Sequence, residues 1–225
     1  MKLSSLHSRC RSGFTLIELL VVIAIIAILA AATIGGVSSA LNSAKRAKAS
    51  AAISGVQTAV LNYYTEYSVY PLPNNPAPTT DSYYSSTDAS DWGTLMVALC
   101  GGVDPGNSRG GQVTNNPVPN TRQIAFMTPS YSDLDTTVHP SVLKNPFNLK
   151  SDPYYYIAID SDYSNIIGDS NAAAMPPNFA SVGNNTTSLP SGQQMSGGVA
   201  VWGNTDPGTS ASGTPTNPKL WVHTY

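Results

Sequence analysis

Apolar residues are spread unevenly along this chain. Phe14 to Ile34 is a run of 21 residues whose only ionisable member is Glu18. At about 1.5 Å of rise per residue it makes roughly 30 Å of helix, the thickness of a bilayer's hydrocarbon core. Further on the pattern becomes periodic. Ile53, Val56, Val60, Tyr63 and Tyr67 recur at spacings of 3, 4, 3 and 4, with Ser54, Gln57, Thr58, Asn62 and Glu66 between them. That spacing predicts a helix with one apolar face. Gly35 and Gly36 lie between the two stretches and cost about 2 kcal/mol of helix propensity relative to alanine. They predict either a weak point or close packing of a neighbouring helix against small residues. Pro71 is expected to stop the helix near Val69, because proline disfavours helical geometry at the residue before it.

The remainder is rich in Pro, Gly, Asn, Ser and Thr, with short apolar islands. Trp92, Leu95, Met96 and Leu99 stand at i, i+3, i+4 and i+7, with Asp88 or Ser90 as a candidate cap and Gly101 just beyond. This predicts a short amphipathic helix. Residues 123–127, 154–159, 199–202 and 219–223 read as strands, and 101–120 and 168–198 as long loops. A long helix followed by four short strands predicts an α+β fold, a small antiparallel sheet lying on the helix.

Charge sharpens the division. Only 11% of the chain is charged and the net is −2, which gives no reason to expect a nucleic-acid partner. Lys2, Arg9 and Arg11 make the first thirteen residues +3 with no acid. From Ala51 onward five basic residues face twelve acidic ones, a net of −7. A basic head, an apolar run and an acidic body read as a targeting segment joined to an exported domain. A secretory signal cut near Ala30-Ala31-Ala32 fits less well, since the apolar run is long for one and contains an acid. A plain membrane anchor explains the length and leaves Glu18 unexplained.

Gly13-Phe14-Thr15-Leu16-Ile17-Glu18 stands between the basic residues and the apolar run. In this hexapeptide the chain resembles the type IV prepilins, a family that includes the major pseudopilins of type II secretion. The resemblance implies that a prepilin peptidase cuts between Gly13 and Phe14, that Phe14 becomes the N-methylated terminus, and that Glu18 acts in assembly. It implies four segments: a cleaved leader over 1–13, a transmembrane and filament-core helix over 14–34, an amphipathic helical stalk over 35–70, and a globular head over 71–225. It further implies insertion in the bacterial inner membrane with the C-terminal domain in the periplasm, then entry into a periplasmic or extracellular filament. The partners would be further copies of the chain, the peptidase, an inner-membrane assembly platform and lipid. The leading expectation is a pseudopilus subunit assisting protein export; the alternative is a type IV pilin for adhesion, motility or DNA uptake. Tyr70-Pro71 at the stalk end is similar to major pseudopilins, as are 150–156 and 198–203 more loosely, and a C-terminal cysteine pair is absent: the two cysteines are Cys10 and Cys100.

No enzyme is expected. Gly106-Asn107-Ser108-Arg109-Gly110 matches the G-x-S-x-G pattern of serine hydrolases, but its glycine- and proline-rich flanks lack the strand and helix that such an elbow needs. No cofactor is expected beyond a candidate calcium ion. Asp160-Ser161-Asp162 opens like a calcium loop, without the central glycine and distal glutamate. The family resemblance points instead to Asp206, with the later acids of that pattern replaced around 216–218. Lys45, Arg46 and Lys48 are expected on a solvated helix face, with lipid headgroups or a neighbour's acids as other destinations. Cys100 is expected to be a buried thiol.

Overall fold

A computed structural model describes residues 14–72, 81–84, 89–107, 118, 120–147, 153–167, 195–203, 205 and 222–224. The fold is α+β and its residues divide into two units, Met1–Ala44 and Lys45–Tyr225. The first helix, α1, covers Leu16–Tyr67, and its helical assignment runs unbroken through Gly35 and Gly36.

Within the first unit, α1 is long and apolar enough to cross a membrane by length and composition, and none of its apolar window is buried. Among the described residues nothing covers Leu16, Ile23 or Ile28. Exposure of this many large aliphatic side chains in water is unfavourable by about 25 cal/mol per Å², so this stretch is built for lipid or for other apolar helices.

In the second unit the same helix behaves as its period predicts. Ile53, Val56, Val60 and Tyr63 are buried, Tyr67 is partly buried, and Ser54, Thr58, Asn62 and Glu66 face solvent. Helix α1 stops at Tyr67, earlier than Pro71 requires. Ser68 takes a left-handed φ of 56° and donates its N–H to the Tyr64 carbonyl at 2.7 Å, a helix stop that glycine usually provides.

The apolar face of α1 meets a four-stranded antiparallel sheet. Its strands are β1 (Ser82–Tyr84), β4 (Tyr156–Ile159), β7 (Val199–Gly203) and β8 (Val222–His223), in the order β1-β4-β7-β8. Because side chains alternate across a strand, Ile157, Ile159, Val199 and Val201 join the cluster containing Ile53, Val56 and Val60. On the opposite face Tyr156 stacks flat against its cross-strand partner Trp202, with ring centroids 5.7 Å apart, and Ala158, Ala200 and Ile167 complete a second cluster. Two further pairs are β2 (Leu134–Asp135) with β3 (Val142–Leu143), and β5 (Ile166–Ile167) with β6 (Met195–Ser196).

Helix α2 (Ala89–Leu99) buries Trp92, Leu95, Met96 and Leu99 as expected. Ser90 lies inside the helix rather than capping it, and Asp88 is outside the described residues. Gly101 and Gly102, with φ of 86° and 80°, turn the chain so that the Gly102 N–H reaches the Val97 carbonyl at 2.8 Å, which closes the helix end.

Two strand expectations are corrected. Residues 123–127 form no strand; they make only a single bridge between Cys100 and Ala125. Gln123 sits at φ 55°, and the N–H groups of Phe126 and Met127 both donate to the Leu99 carbonyl. Their hydrogen bonds serve the end of α2, leaving no ladder to form. The fourth sheet strand is β1, from a stretch not expected to be one. Met195–Ser196, read as loop, is β6.

Candidate functional site

The helix start is built from its own residues. Thr15 donates its N–H to Glu18 Oε2 at 2.8 Å and its hydroxyl to the same oxygen at 2.9 Å, while the Glu18 N–H donates to Thr15 Oγ1 at 3.3 Å. This is a reciprocal capping box, satisfying helix N–H groups that have no intrahelical partner. It also gives Glu18 a role that the hexapeptide reading overlooked. The signal was present, a threonine followed three residues later by a glutamate at the edge of an apolar run. Phe14, immediately before the box, is 82% exposed. Gly13 and the rest of 1–13 lie outside the described residues.

A polar cap on an otherwise uncovered apolar helix is a specific combination. A family model for the prokaryotic N-terminal methylation motif matches residues 8–34. The chain carries a prepilin-type segment. That segment is the cleavage and methylation region of type IV pilin-like proteins, which are structural subunits. The matched residues include Thr15, Glu18 and the exposed apolar stretch of α1, which fits anchoring in the inner membrane. The prepilin segment also implies processing by prepilin peptidase and assembly into pilus-like machinery. No curated protein and no solved structure matches the chain.

A second cluster of polar side chains lies in the head. Asp81, Asp160 and Asp162 each offer a carboxylate oxygen within 4.8 Å of the others, and Asp81 and Asp160 are buried. Pairing of Ser82 with Ile159 brings the first two together, and the Ser82 and Ser161 hydroxyls meet at 2.9 Å beside them. Asp160 accepts N–H bonds from Ser164 at 3.1 Å and Asn165 at 2.7 Å, and the same Ser164 N–H is shared with Asp162 at 3.1 Å. Burial, then the neighbouring Asp162 carboxyl, pushes Asp160 up to about 6 against these N–H bonds. Among the described residues this trio is what the head offers a hard cation, which takes six to eight oxygens when it is calcium. Asp160 and Asp162 belong to the segment that opens like a calcium loop, and Asp81 has no sequence signal linking it to them. Asp206 lies outside the described residues.

The remaining candidates resolve differently. Gly106 and Asn107 sit in a turn where the Gly106 N–H donates to Asp104, and 108–110 lie outside the description. Lys48 is not free on a solvated face, because it pairs with Asp133. Lys45 lies 5.7 Å over the Phe147 ring. Of the eleven described tyrosines five are buried, Tyr63, Tyr84, Tyr154, Tyr155 and Tyr156, and four more are partly buried.

Proposed function

We propose that this chain is a structural subunit of a type II secretion pseudopilus. Its leader is cleaved after Gly13, Phe14 is N-methylated, and the mature subunits polymerise through their apolar helices into a filament that assists export. The observation that carries the reading is the helix from Leu16 to Ala32, apolar and uncovered on all sides, beginning at a capped Glu18 inside the matched segment. A lipid-anchored subunit that later stacks beside its copies needs such a surface twice, first against acyl chains and then against neighbours.

Glu18 supplies the selectivity. A carboxylate in a membrane helix is costly, and an intramembrane acid marks function. In the free subunit Thr15 holds it. In a filament the charged amine of a neighbour's Phe14 takes over, and a subunit in the wrong register buries both charges unpaired. The Tyr70-Pro71 pair just past the end of α1 and the lack of a cysteine pair after Cys100 in this sequence support the pseudopilin over the pilus reading. Mass spectrometry of the membrane-extracted protein tests processing: a methylated Phe14 terminus is expected, and a terminus after Ala31 or Ala32 overturns the proposal. Deleting the gene distinguishes the systems, since a pseudopilin's loss abolishes export while a pilin's loss removes surface fibres.

A further inference from the structure

Within the second unit, α1 carries opposite charge at its two ends. At the start, Lys45 lies 5.7 Å over the Phe147 ring. Lys48, one turn on, pairs with Asp133. That hydrogen bond foremost, with the Lys144 charge adding to it, holds Asp133 below the usual carboxylate range. The ammonium groups of Lys45, Lys48 and Lys144 thus gather around Phe147 and Asp133. The acids there are engaged, Asp133 by Lys48 and Asp135 by the hydroxyls of Thr137 and Tyr154. Lys45 and Lys144 are exposed, and among the described residues neither lies within ion-pair distance of a carboxylate.

At the other end the character reverses. Tyr64 of α1 stacks on Tyr70 at 4.5 Å, Tyr70 stacks on Tyr163 at 5.6 Å, and Tyr163 is 46% exposed. Leu61, one turn before Tyr64 on the same helix face, is exposed too. The loop that carries Tyr163 also carries Asp162, the partly exposed member of the carboxylate trio. Burial, then the Asp160 charge, raises the Tyr70 phenol to about 12, which sets the trio beside the stack. Asp160 holds the loop in place through the Ser164 and Asn165 N–H groups. An open tyrosine with a carboxylate at its rim is a surface that receives ammonium groups, through the ring face as well as the charge.

Both surfaces belong to the unit Lys45–Tyr225, and the helix itself sets their separation. Tyr64 follows Lys45 by 19 positions of unbroken α1, about 28 Å. Attraction between charges fades over about 10 Å at 0.1 M salt, so the two surfaces cannot satisfy each other within one subunit. We propose that they meet between subunits: the Lys45 and Lys144 surface of one copy docks on the Asp162 and Tyr163 surface of the next. The inference rests on the reading that the chain polymerises. Because the two surfaces differ, each copy in such a contact keeps one of them open, and repetition builds an open-ended array instead of a closed pair. Charge complementarity of this kind sets register and encounter more than affinity, which leaves the bulk of the association to the apolar helices.

The test uses the full chain in the membranes of expressing cells, in a Cys10→Ser background where the remaining Cys100 is buried. Under copper-phenanthroline oxidation, Lys144→Cys/Asp162→Cys should link into a ladder of dimers, trimers and longer multimers on non-reducing gels. Lys144→Cys or Asp162→Cys alone should give no ladder. Independently, Lys144→Asp and Asp162→Lys should each lower the yield of sheared filaments about tenfold, since like charges placed face to face cost at least that much. The two together in one chain should recover most of the yield, a result that misfolding of either variant would not produce. Strong dimers from Asp162→Cys alone mean that like surfaces face one another, and overturn the head-to-tail contact. So do filaments of normal yield that give no ladder, and a charge-swapped chain as poor as the single variants. A wild-type chain that is cleaved after Gly13 yet forms no filament overturns the polymer reading itself, a distinct failure.

Discussion

At Glu18 the proposed role in assembly would be superimposed on the cap that the carboxylate already forms with Thr15, and the two respond to different substitutions. As the third helical residue it accepts from Thr15, a task a neutral amide also performs. As a charge it requires an amine. Glu18→Gln should therefore keep the helix start and the Gly13 cleavage yet lower filament yield about as much as Glu18→Ala. Quantitative immunoblotting of sheared filaments checks this, and a Gln variant that assembles normally would show that only the cap matters. Cys100 makes a simpler case. It is buried, and burial followed by the Asp104 charge raises its thiol to about 12. The thiolate is the reactive form, so iodoacetamide at pH 8 should leave native Cys100 unmodified and alkylate it fully in guanidinium. Glu18 and Asp160 were both visible in the sequence, but their partners were legible to different degrees. Thr15 is three positions from Glu18. Asp81 is 79 positions from Asp160, and only the β1–β4 register brings them together.

Between elements, one side chain carries a large share of the joinery. Asn120 accepts from the Tyr67 hydroxyl at 2.7 Å and the Ile124 N–H at 3.0 Å, and donates to the Ala98 and Ile124 carbonyls at 2.7 Å each. It ties the end of α1 to the end of α2 through a loop that repetition of apolar residues had suggested was a strand. Asn120→Ala would strand several polar groups in the interior and should cost about 2–3 kcal/mol, read as a lower denaturation midpoint with an unchanged slope. Asn120→Asp keeps both acceptors but loses both donors and should not rescue it. The stalk face was readable because Ile53, Val56, Val60 and Tyr63 obey a helical period that the sheet then covers. The stop at Ser68 was not readable, since nothing in a serine announces a left-handed φ. Segment 123–127 misled for a related reason: alternation of Ile124 and Phe126 carries no information about which carbonyls its N–H groups will find.

For the molecule as a whole, the division at Lys45 predicts that a fragment from Lys45 onward folds, because α1's apolar face from Ile53 to Tyr63 keeps its cover. Near-UV circular dichroism should show fixed aromatic signals, and a molten spectrum would contradict the packing. Its stability should have an unusual pH profile in chelator. Burial alone would raise Asp104, but N–H bonds from Ser141 and Gly106, then the contacts with Ser141 and His139 side chains, hold it below the usual carboxylate range. That contribution is present above about pH 4 and lost as pH falls further. Asp160 has the opposite sign: raised to about 6, it favours the fold below about pH 4 and loses that contribution as pH climbs through 6. Melting temperature should peak between these limits, and Asp162→Asn should flatten the alkaline side.

The strand order carries a consequence for timing. Central strand β4 pairs at Ile157 with Tyr84, 73 residues earlier, and with Val201, 44 residues later. Contacts this distant along a chain close slowly, after loop entropy has been overcome, whereas helical turns form within microseconds. A chain delivered N-terminus first can form α1 early, but β4 stays open on one edge until residue 203 has emerged. An unpaired, two-sided apolar strand is a sticky intermediate. Tethering by the N-terminal helix would keep such intermediates apart on a surface during that interval, so an anchored α1 would insulate the nascent molecule against aggregation before it took any part in the proposed filament.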